Sequence, residues 1–253
     1  MSKTIQIRNL TVGPGMPGII VPIVAVTEKD ILSSAETIKT VSPDMVEWRV
    51  DWFEEAYDAA AVTAVLEKMR SALGDIPILF TFRTAKEGGE KAIDSELYAD
   101  LNRKTAASGF ADLIDVELFT GDEIVSDLIA AAHGCDVKVI ASSHDFSGTP
   151  EKSEIVRRLR KMDALGADIP KIAVMPTCRA DVITLLDATQ EADALIDKPL
   201  ITMSMSGTGL ISRLAGEAFG SALTFGAVGK VSAPGQMSAE NLRTVLALIH
   251  SAC

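Results

Sequence analysis

Eight apolar, strand-like runs alternating with helix-like segments are the feature that most constrains how this chain can fold. The runs, rich in β-branched residues, cover residues 19–26, 45–50, 78–82, 113–118, 137–141, 172–175, 200–203 and 223–228. Segments with an apolar stripe at helical spacing lie between them, including 27–40, 58–73, 95–108, 150–165 and 238–250. The alternation predicts parallel β-α-β units. Eight units in 253 residues predict one α/β domain over 1–253, a (β/α)8 or TIM barrel.

The alternative arrangement for such a pattern is an open, doubly wound sheet. A glycine-rich GxGxxG turn after the first strand would favour that sheet, and the sequence has none there. Before the first barrel strand, residues 5–12 read as an additional strand or a β-hairpin. We expect this segment to cap one end of the barrel.

Charge and cysteine content narrow the classes of partner and compartment. The net charge of −11 is expected to repel nucleic-acid phosphates and anionic lipids. The longest apolar run, 19–26, is far shorter than the ~20 residues of a membrane helix. The amino-terminal residues lack the apolar core of a secretory signal, and three scattered cysteines suggest reduced thiols. These features predict a cytoplasmic protein that binds neither nucleic acid nor membrane.

Polar residues on the strands can be assigned to the barrel interior, because side chains alternate between the two faces of a strand. On each strand, one set of alternating side chains contains the branched and aromatic residues, and we place this set beneath the helices. The side chains of the second set then face the barrel axis. This inward set comprises Glu47, Arg49, Asp51, Thr81, Arg83, Asp115, Glu117, Ser142, His144, Lys171, Ala173, Met175, Met203 and Met205. A slip of one residue in register would reverse each assignment. Stability alone favours apolar residues in this interior, so the charged ones suggest a functional site.

Lys171 and His144 are the main candidates for chemistry. An amine among apolar groups or cations loses its proton more readily, and the free base can attack a ketone. On position alone, a structural salt bridge explains Lys171 equally well. Its place at the start of an apolar run would also suit the barrel floor. His144 follows a strand, where imidazole could move protons or serve as a structural hydrogen-bonding group.

Three loops add candidate binding residues. The loop after residue 82 offers Arg83 for an anion and Glu87 as a carboxylate partner for a histidine, although a solvated turn would look similar. The 204–209 segment leads into a helix with Arg213, which suits a carboxylate or is a routine surface arginine. Residues 229–236 have the small side chains of a mobile lid, with Ser232 and Gln236 able to bond hydroxyl groups, or form a plain connector.

The sequence gives little support for a metal centre. It has three histidines, no cysteine pair and no HExxH motif, which disfavours a transition-metal site. Asp115 and Glu117 could together bind a hard cation. The other two histidines, His133 and His250, lie in polar helical surroundings and are expected to be exposed.

Taken in order, several motifs resemble those of type I 3-dehydroquinate dehydratases. They are Glu47-Trp48-Arg49-Val50-Asp51, Phe80-Thr81-Phe82-Arg83 with Glu87-Gly88-Gly89, Asp115-Val116-Glu117-Leu118, Ser142-Ser143-His144-Asp145, Lys171-Ile172-Ala173-Val174-Met175, Ser204-Met205-Ser206 and Ser232-Ala233-Pro234-Gly235-Gln236. The resemblance runs over essentially the whole chain. Two positions depart from it: Ser143 stands where many members have Asn or His, and Gly207 where many have Lys.

The resemblance implies a hydro-lyase of the shikimate pathway, which makes aromatic amino acids. By resemblance, Lys171 forms an imine with 3-dehydroquinate, His144 moves the protons, and Glu87 orients and supports His144. Arg213 would pair with the substrate carboxylate. The remaining substrate-binding positions implied are Glu47, Arg49, Arg83, Ser232 and Gln236, with Met203 and Met205 as apolar walls. The resemblance further implies a homodimer without metal or cofactor.

Three other functions remain as alternatives. A class I aldolase would also use a strand lysine, but its substrate is phosphorylated or an aldol. A metabolite sensor would keep Arg213 and the lid and could lose Lys171 or His144. A metal-dependent barrel lyase would need a ligand cluster and would be sensitive to a chelator.

Overall fold

The computed structural model describes residues 3–229 and 232–253. The strands are β1 Ile5–Ile7, β2 Leu10–Val12, β3 Gly18–Ile23, β4 Met45–Arg49, β5 Ile78–Thr81, β6 Leu113–Glu117, β7 Lys138–Asp145, β8 Ile169–Val174, β9 Ile201–Ser204 and β10 Leu223–Phe225. The helices are α1 Glu28–Lys39, α2 Ala59–Leu73, α3 Ser95–Ala107, α4 Asp122–His133, α5 Lys152–Ala164, α6 Arg179–Leu195, α7 Leu210–Leu214, α8 Gly216–Phe219 and α9 Ala239–His250. Short 3₁₀ turns cover Val50–Trp52, Ala85–Glu87 and Leu118–Thr120.

Strands β3 to β10 form one parallel sheet with the order β10-β3-β4-β5-β6-β7-β8-β9. The two ends of this order meet through a bridge between Leu200 and Ser221, and the Ala222 amide donates to the Leu200 carbonyl over 2.8 Å. The sheet is therefore a nearly closed barrel, with helices in the connections between its strands. This confirms the predicted (β/α)8 fold.

The helices begin where the sequence places capping side chains. Thr27 accepts a hydrogen bond from the Asp30 amide, Asp58 from Ala60 and Ala61, and Asp94 from Leu97. Such caps satisfy amide groups that the first helical turn leaves without partners. The predicted segment 27–40 matches α1 with both of its capping residues, and the segment 58–73 matches α2 with its N-cap residue.

Two apolar clusters confirm the predicted facing of the strands. Val46 and Trp48 of β4, and Val50 directly after it, pack with helix residues in the outer cluster. The inner cluster includes one apolar residue near the amino end of each barrel strand: Ile20, Met45, Leu79, Leu113, Ile140, Ile169, Ile201 and Leu223. These eight side chains form an apolar floor across the barrel.

The amino-terminal segment is a hairpin in which β1 and β2 pair antiparallel. Its Ile7 and Val12 are buried and belong to the same cluster as the floor residues. The hairpin therefore closes the amino-terminal end of the barrel, as predicted.

Aspartates placed just before three of the barrel strands tie the amino-terminal end together. Asp44, Asp112 and Asp168 precede β4, β6 and β8. Each accepts the backbone amide of a residue beginning the neighbouring strand. The bonds are Ile19 N to Asp44 Oδ2 at 2.6 Å, Ile78 N to Asp112 Oδ2 at 2.8 Å and Val139 N to Asp168 Oδ2 at 2.8 Å. We call these residues the strand-start aspartates.

Several strand boundaries differ from prediction. Strand β8 begins at Ile169 rather than 172, so Lys171 lies within the strand, and β7 continues past 141 to Asp145. Strands β3 and β10 end at Ile23 and Phe225 rather than at 26 and 228. None of the helices in the described residues is long and apolar enough to cross a bilayer.

Candidate active site

A pocket opens directly above the apolar floor. The next inward position on each strand is two residues beyond the floor, which places Glu47 above Met45 and Lys171 above Ile169. Eight of the predicted site residues line this pocket, together with Met203 and Met205: Glu47, Arg49, Arg83, Glu87, His144, Lys171, Ser232 and Gln236. The structure therefore brings together all the predicted site residues except Arg213, which is not among the residues that line the pocket. Lys171 lies above the floor and not in it.

Lys171 is almost completely buried, with 3% of its surface exposed. Its Nζ donates to Asp115 Oδ2 over 3.1 Å and lies 3.8 Å from Glu47 Oε1. The ring centroid of Phe225 is 4.8 Å away. The amine is thus held in the pocket between carboxylates and an aromatic face.

The carboxylate of Asp115 is shared between several donors. Arg83 lies 2.8 Å from its Oδ1, and the Ser142 hydroxyl donates to the same oxygen over 2.6 Å. Burial disfavours ionisation of Asp115, but Arg83, Lys171 and Ser142 outweigh it and lower the pKa of the carboxyl. Asp115 is consequently an anion whose charge is divided between Lys171 and Arg83.

Arg83 is surrounded by acids. Besides Asp115, its guanidinium lies 2.9 Å from Glu117 and 3.7 Å from Glu87. Burial acts against its charge, but the three carboxylates together raise the pKa of Arg83. Protein donors thereby occupy the oxygens of Asp115 and Glu117. The suggestion that these two acids together bind a hard cation is therefore wrong, because they bind the arginine instead.

His144 and Glu87 form a bonded pair on the pocket wall. Glu87 Oε2 lies 2.9 Å from His144 Nδ1 and also accepts the His144 backbone amide over 2.9 Å. Burial lowers the pKa of His144 well below its usual value, and the charges of Arg83 and Lys171 lower it further. The imidazole is therefore neutral. With Nδ1–H donated to Glu87, its Nε2 is free to accept a proton.

Burial has the opposite effect on Glu87. It raises the pKa of Glu87 to about 8, assisted by Glu117 and Asp115 and opposed by Arg83. One oxygen, Oε1, is buried without a hydrogen-bond partner among the described residues. The acid and the imidazole thus both favour their neutral forms near pH 7.

Arg213 differs from the other site arginines because it has no acidic partner among the described residues. It is 2% exposed, and its contacts are the Met203 sulfur at 3.5 Å and the Pro234 carbonyl at 3.4 Å. Burial alone lowers the pKa of Arg213 to about 10. The guanidinium remains charged near neutral pH and lacks a counter-ion, which suits it to bind an anion.

Residues 232–236 of the predicted lid 229–236 lie against the pocket. Two hydrogen bonds of 2.9 Å join Ser232 and Gln236. The Ser232 amide donates to Gln236 Oε1, and Gln236 Nε2 donates to the Ser232 hydroxyl. The Pro234 carbonyl accepts the Ser206 amide over 3.2 Å, and a Cβ on Gly235 would come within 2.2 Å of the Ser206 carbonyl. Residues 230 and 231 of the predicted lid lie outside the described residues.

The model of the type I 3-dehydroquinase family matches residues 19–252 of the chain. The chain belongs to this family. It is 53% identical to a 3-dehydroquinate dehydratase of Clostridioides difficile over 251 residues, covering 99% of this chain and 98% of the relative. It is 54% identical to that of Listeria welshimeri over 250 residues, covering 99% of each.

Solved structures of family members superpose closely on this one. A type I enzyme from Clostridium difficile, solved with covalently modified comenic acid, has a TM-score of 0.96 at 51% identity and 100% coverage of both chains. An enzyme from Geobacillus kaustophilus has a TM-score of 0.96 at 39% identity and 99% coverage of both. The family fold therefore extends over the whole chain.

Sequence reasoning did not assign Phe225, Phe146 and Gly88 to the pocket wall. Strand alternation could have found Phe225, since it lies two residues beyond the floor residue Leu223. Phe146 and Gly88 lie on loops, whose side-chain directions follow no such period. A Cβ on Gly88 would come within 2.3 Å of the Phe146 ring, so the two loops touch here.

Two expectations about side chains outside the pocket can also be compared with the structure. His133 and His250 are exposed and paired with Asp168 and Glu217. All three cysteines are free and exposed. Within residues 3–229 and 232–253, no group of three or more His, Cys, Asp or Glu side chains could hold a metal ion.

Proposed function

We propose that this chain dehydrates 3-dehydroquinate to 3-dehydroshikimate through an imine on Lys171. The observation that carries the proposal is that a buried lysine and a neutral histidine share the wall of one pocket. Loss of water next to a ketone requires an electron sink and a base. The amine and the imidazole supply one each.

In the first step, the Lys171 amine adds to the ring ketone and the resulting carbinolamine loses water to give an iminium. The iminium withdraws electrons and acidifies the neighbouring carbon. His144 Nε2 then takes a proton from that carbon, and the electron pair moves into the iminium. His144 returns the proton to the hydroxyl on the next carbon, which leaves as water. Hydrolysis of the imine releases the product and restores Lys171.

Glu87 supports this proton transfer. Its bond to Nδ1 fixes the imidazole tautomer that leaves Nε2 basic, and its carboxylate, when ionised, stabilises the imidazolium formed in the step. Glu87 is therefore proposed as a catalytic partner of His144.

The substrate carboxylate is proposed to bind Arg213, the buried cation without a counter-ion. Arg213 does not itself line the pocket but contacts Met203, which does, over 3.5 Å. Arg49, Glu47, Ser232 and Gln236 line the pocket and would bond the ring hydroxyls, with Met203 and Met205 as apolar walls. Arg83 is already paired with three acids. We therefore propose that it bonds a hydroxyl group of the substrate and does not neutralise the substrate carboxylate. Together these contacts would hold the reacting carbon against His144.

Trapping of the imine tests the mechanism. The protein is incubated with 3-dehydroquinate, reduced with borohydride and mapped by peptide mass spectrometry, while enone absorbance is followed in an unreduced sample. We expect product absorbance and an adduct on Lys171, and neither with Lys171→Met. A surface change, Lys198→Met, is the matched control and should keep both. Absorbance without an adduct would contradict the imine route.

The same experiment separates the alternatives. A metabolite sensor would give neither absorbance nor turnover, and an aldolase would not form the enone.

We further propose that the reaction needs no metal or cofactor, since the amine itself supplies the electron sink. Activity should then survive dialysis against a chelator.

We also propose that the protein is a cytoplasmic homodimer. The family resemblance supports the dimer, and the three free thiols suit a reducing compartment. Sedimentation equilibrium over a range of concentrations tests the dimer, and cell fractionation tests the compartment. A monomer at every concentration would contradict the assembly.

A further inference from the structure

The loop between β5 and α3 carries Glu87, and two buried carboxylates hold its ends. Residues 84–90 of this loop leave β5, form the Ala85–Glu87 turn and return beside the strand end. Glu87 reaches His144 only from this position. The contacts that fix the loop therefore also fix the distance between Glu87 and His144.

Asp51 holds the side of the loop facing β4. It is completely buried, and its carboxylate accepts the Arg83 amide over 3.3 Å and the Glu90 amide over 3.1 Å. These two amides lie at the start and at the end of the loop. One carboxylate thus joins both ends.

Glu117 holds the side of the loop facing β6. Its Oε1 accepts the Thr84 amide over 2.8 Å, and its Oε2 accepts the Thr84 hydroxyl over 2.7 Å. Arg83 donates to the same Oε1 over 2.9 Å. Glu117 is 3% exposed, so solvent has little access to compete for these bonds.

The loop is also tightly packed at its base. The Gly89 amide donates to the Thr84 carbonyl over 2.9 Å, and a Cβ on Gly89 would lie 1.9 Å from the Arg83 carbonyl oxygen. Lys91 bonds the carbonyls of Asp51 and Phe53 over 2.8 Å each. The base of the loop has no room to shift unless these bonds break.

Stability alone does not account for two buried carboxylates here, because apolar packing would usually serve as well. We propose that Asp51 and Glu117 act as a carboxylate clamp, a pair of positioning residues that holds the Glu87 loop so that Glu87 stays bonded to His144. The proposal rests on the proposed dehydration. It assigns no substrate contact to Asp51 or Glu117.

Glu117→Gln is the first test, because it preserves shape and removes the charge that holds Thr84. We expect kcat to fall about 100-fold, since a small displacement of a catalytic pair has effects of that size. KM should rise moderately, because Glu117 also binds Arg83 over 2.9 Å and Arg83 lines the pocket. The limb of the pH profile that depends on Glu87 should move to lower pH, because the charge of Glu117 contributes to raising the pKa of Glu87.

A double-variant cycle shows whether the clamp acts through Glu87. In a Glu87→Gln background, Glu117→Gln should lower kcat little further, because the pair that it positions is already lost. An equal fall in both backgrounds would overturn the proposal. A folded Glu117→Gln variant with the kcat of the parent protein would overturn it as well.

Asp51→Asn should lower kcat in the same way and also raise KM. The reason is that Asp51 accepts two bonds from Arg49, at 2.8 Å each, and Arg49 lines the pocket. If either carboxylate variant fails to fold, Thr84→Val tests the clamp more gently. It removes one hydroxyl bond to Glu117 and should lower kcat about tenfold; unchanged kcat there would contradict the proposal.

Asp112→Asn is the matched control. Asp112 is a strand-start aspartate at the opposite end of the barrel, so its substitution should lower stability and leave kcat and the pH profile unchanged. A change in the pH profile equal to that of Glu117→Gln would show a general effect of lost stability and overturn the clamp. If the parent protein itself forms no product, the proposed function fails. The clamp is overturned only by the behaviour of the variants of an active parent.

Discussion

At the scale of single residues, Glu87 sets how the reaction should depend on pH. Burial raises the pKa of Glu87 to about 8, and only the ionised form stabilises an imidazolium on His144. His144 itself is neutral over this range, because burial lowers its pKa well below its usual value. Activity should therefore increase as Glu87 loses its proton.

We predict that kcat/KM rises between about pH 6 and pH 9, with the midpoint of the limb near 8. Initial rates over this range, at substrate concentrations far below KM, measure the profile of the free enzyme. The Glu87→Gln variant should have a lower kcat/KM, and its kcat/KM should not show this rise with pH. A limb that persists unchanged in Glu87→Gln would assign it to another group.

Arg213 lowers the stability of the free protein while it serves substrate binding. It is a buried cation without an acidic partner among the described residues, and its burial costs free energy that the free protein does not recover. We predict that Arg213→Met stabilises the substrate-free protein by about 1 kcal/mol or more and raises KM strongly.

Urea unfolding and steady-state kinetics test both parts of the Arg213 prediction. Arg158→Met is the control, since Arg158 is paired with Glu154 at 2.8 Å and should give no gain in stability. A loss of stability in Arg213→Met would mean that its contacts with Met203 and Pro234 outweigh the cost of burying the charge.

At the scale of elements, the strand-start aspartates separate stability from catalysis. Asp112 accepts the Ile78 amide and binds Arg70 at 3.0 Å and Arg8 at 2.5 Å, all at the amino-terminal end of the barrel. We predict that Asp112→Asn lowers the free energy of unfolding by about 2 kcal/mol, because bonds to a charged acceptor are lost.

The kinetic constants of Asp112→Asn should be unchanged, because the active-site pocket lies above the apolar floor. Denaturant unfolding and kcat are measured on the same preparation. Asp75→Asn is the control, since Asp75 is 87% exposed and 3.6 Å from Arg8, and it should have almost no effect on stability. An equal loss in both variants would contradict the role of the strand-start aspartates.

The strand pattern explains why so much of the fold could be predicted from sequence. A period of two, anchored by large outward residues such as Trp48, fixes which side chains face the axis. Capping residues such as Asp58 mark where helices start. The short helices α7 and α8 could not be predicted in the same way, because four or five residues carry no clear period.

The sequence predicted which residues form the site more readily than it predicted their positions and contacts. Alternation placed Lys171 inside the barrel, but its height depended on where β8 begins. Pro170 and Lys171 interrupt the apolar run, and they concealed Ile169 as the first residue of the strand. The clamp on the Glu87 loop arises from contacts between residues more than 30 positions apart. No local sequence pattern reports such contacts.

At the scale of the whole molecule, the nearly closed sheet and the floor shared by eight strands predict a single cooperative domain. Each strand is bonded to neighbours on both sides through parallel pairing or the Leu200–Ser221 bridge. Separation of the amino-terminal and carboxy-terminal halves would expose the floor and break two strand pairs. We therefore predict one unfolding transition for the entire chain.

The two tryptophans make this prediction measurable. Trp48 and Trp52 both lie at β4, so their fluorescence reports on the amino-terminal half, whereas far-UV circular dichroism reports on helices throughout the chain. In urea the two signals should give the same midpoint. Phe219→Trp, placed in α8 in a background with Trp52→Phe, adds a reporter near the end of the barrel and should share that midpoint. A fluorescence transition well separated from the circular dichroism transition would mean that the halves unfold independently, and the barrel would then consist of two cooperative units.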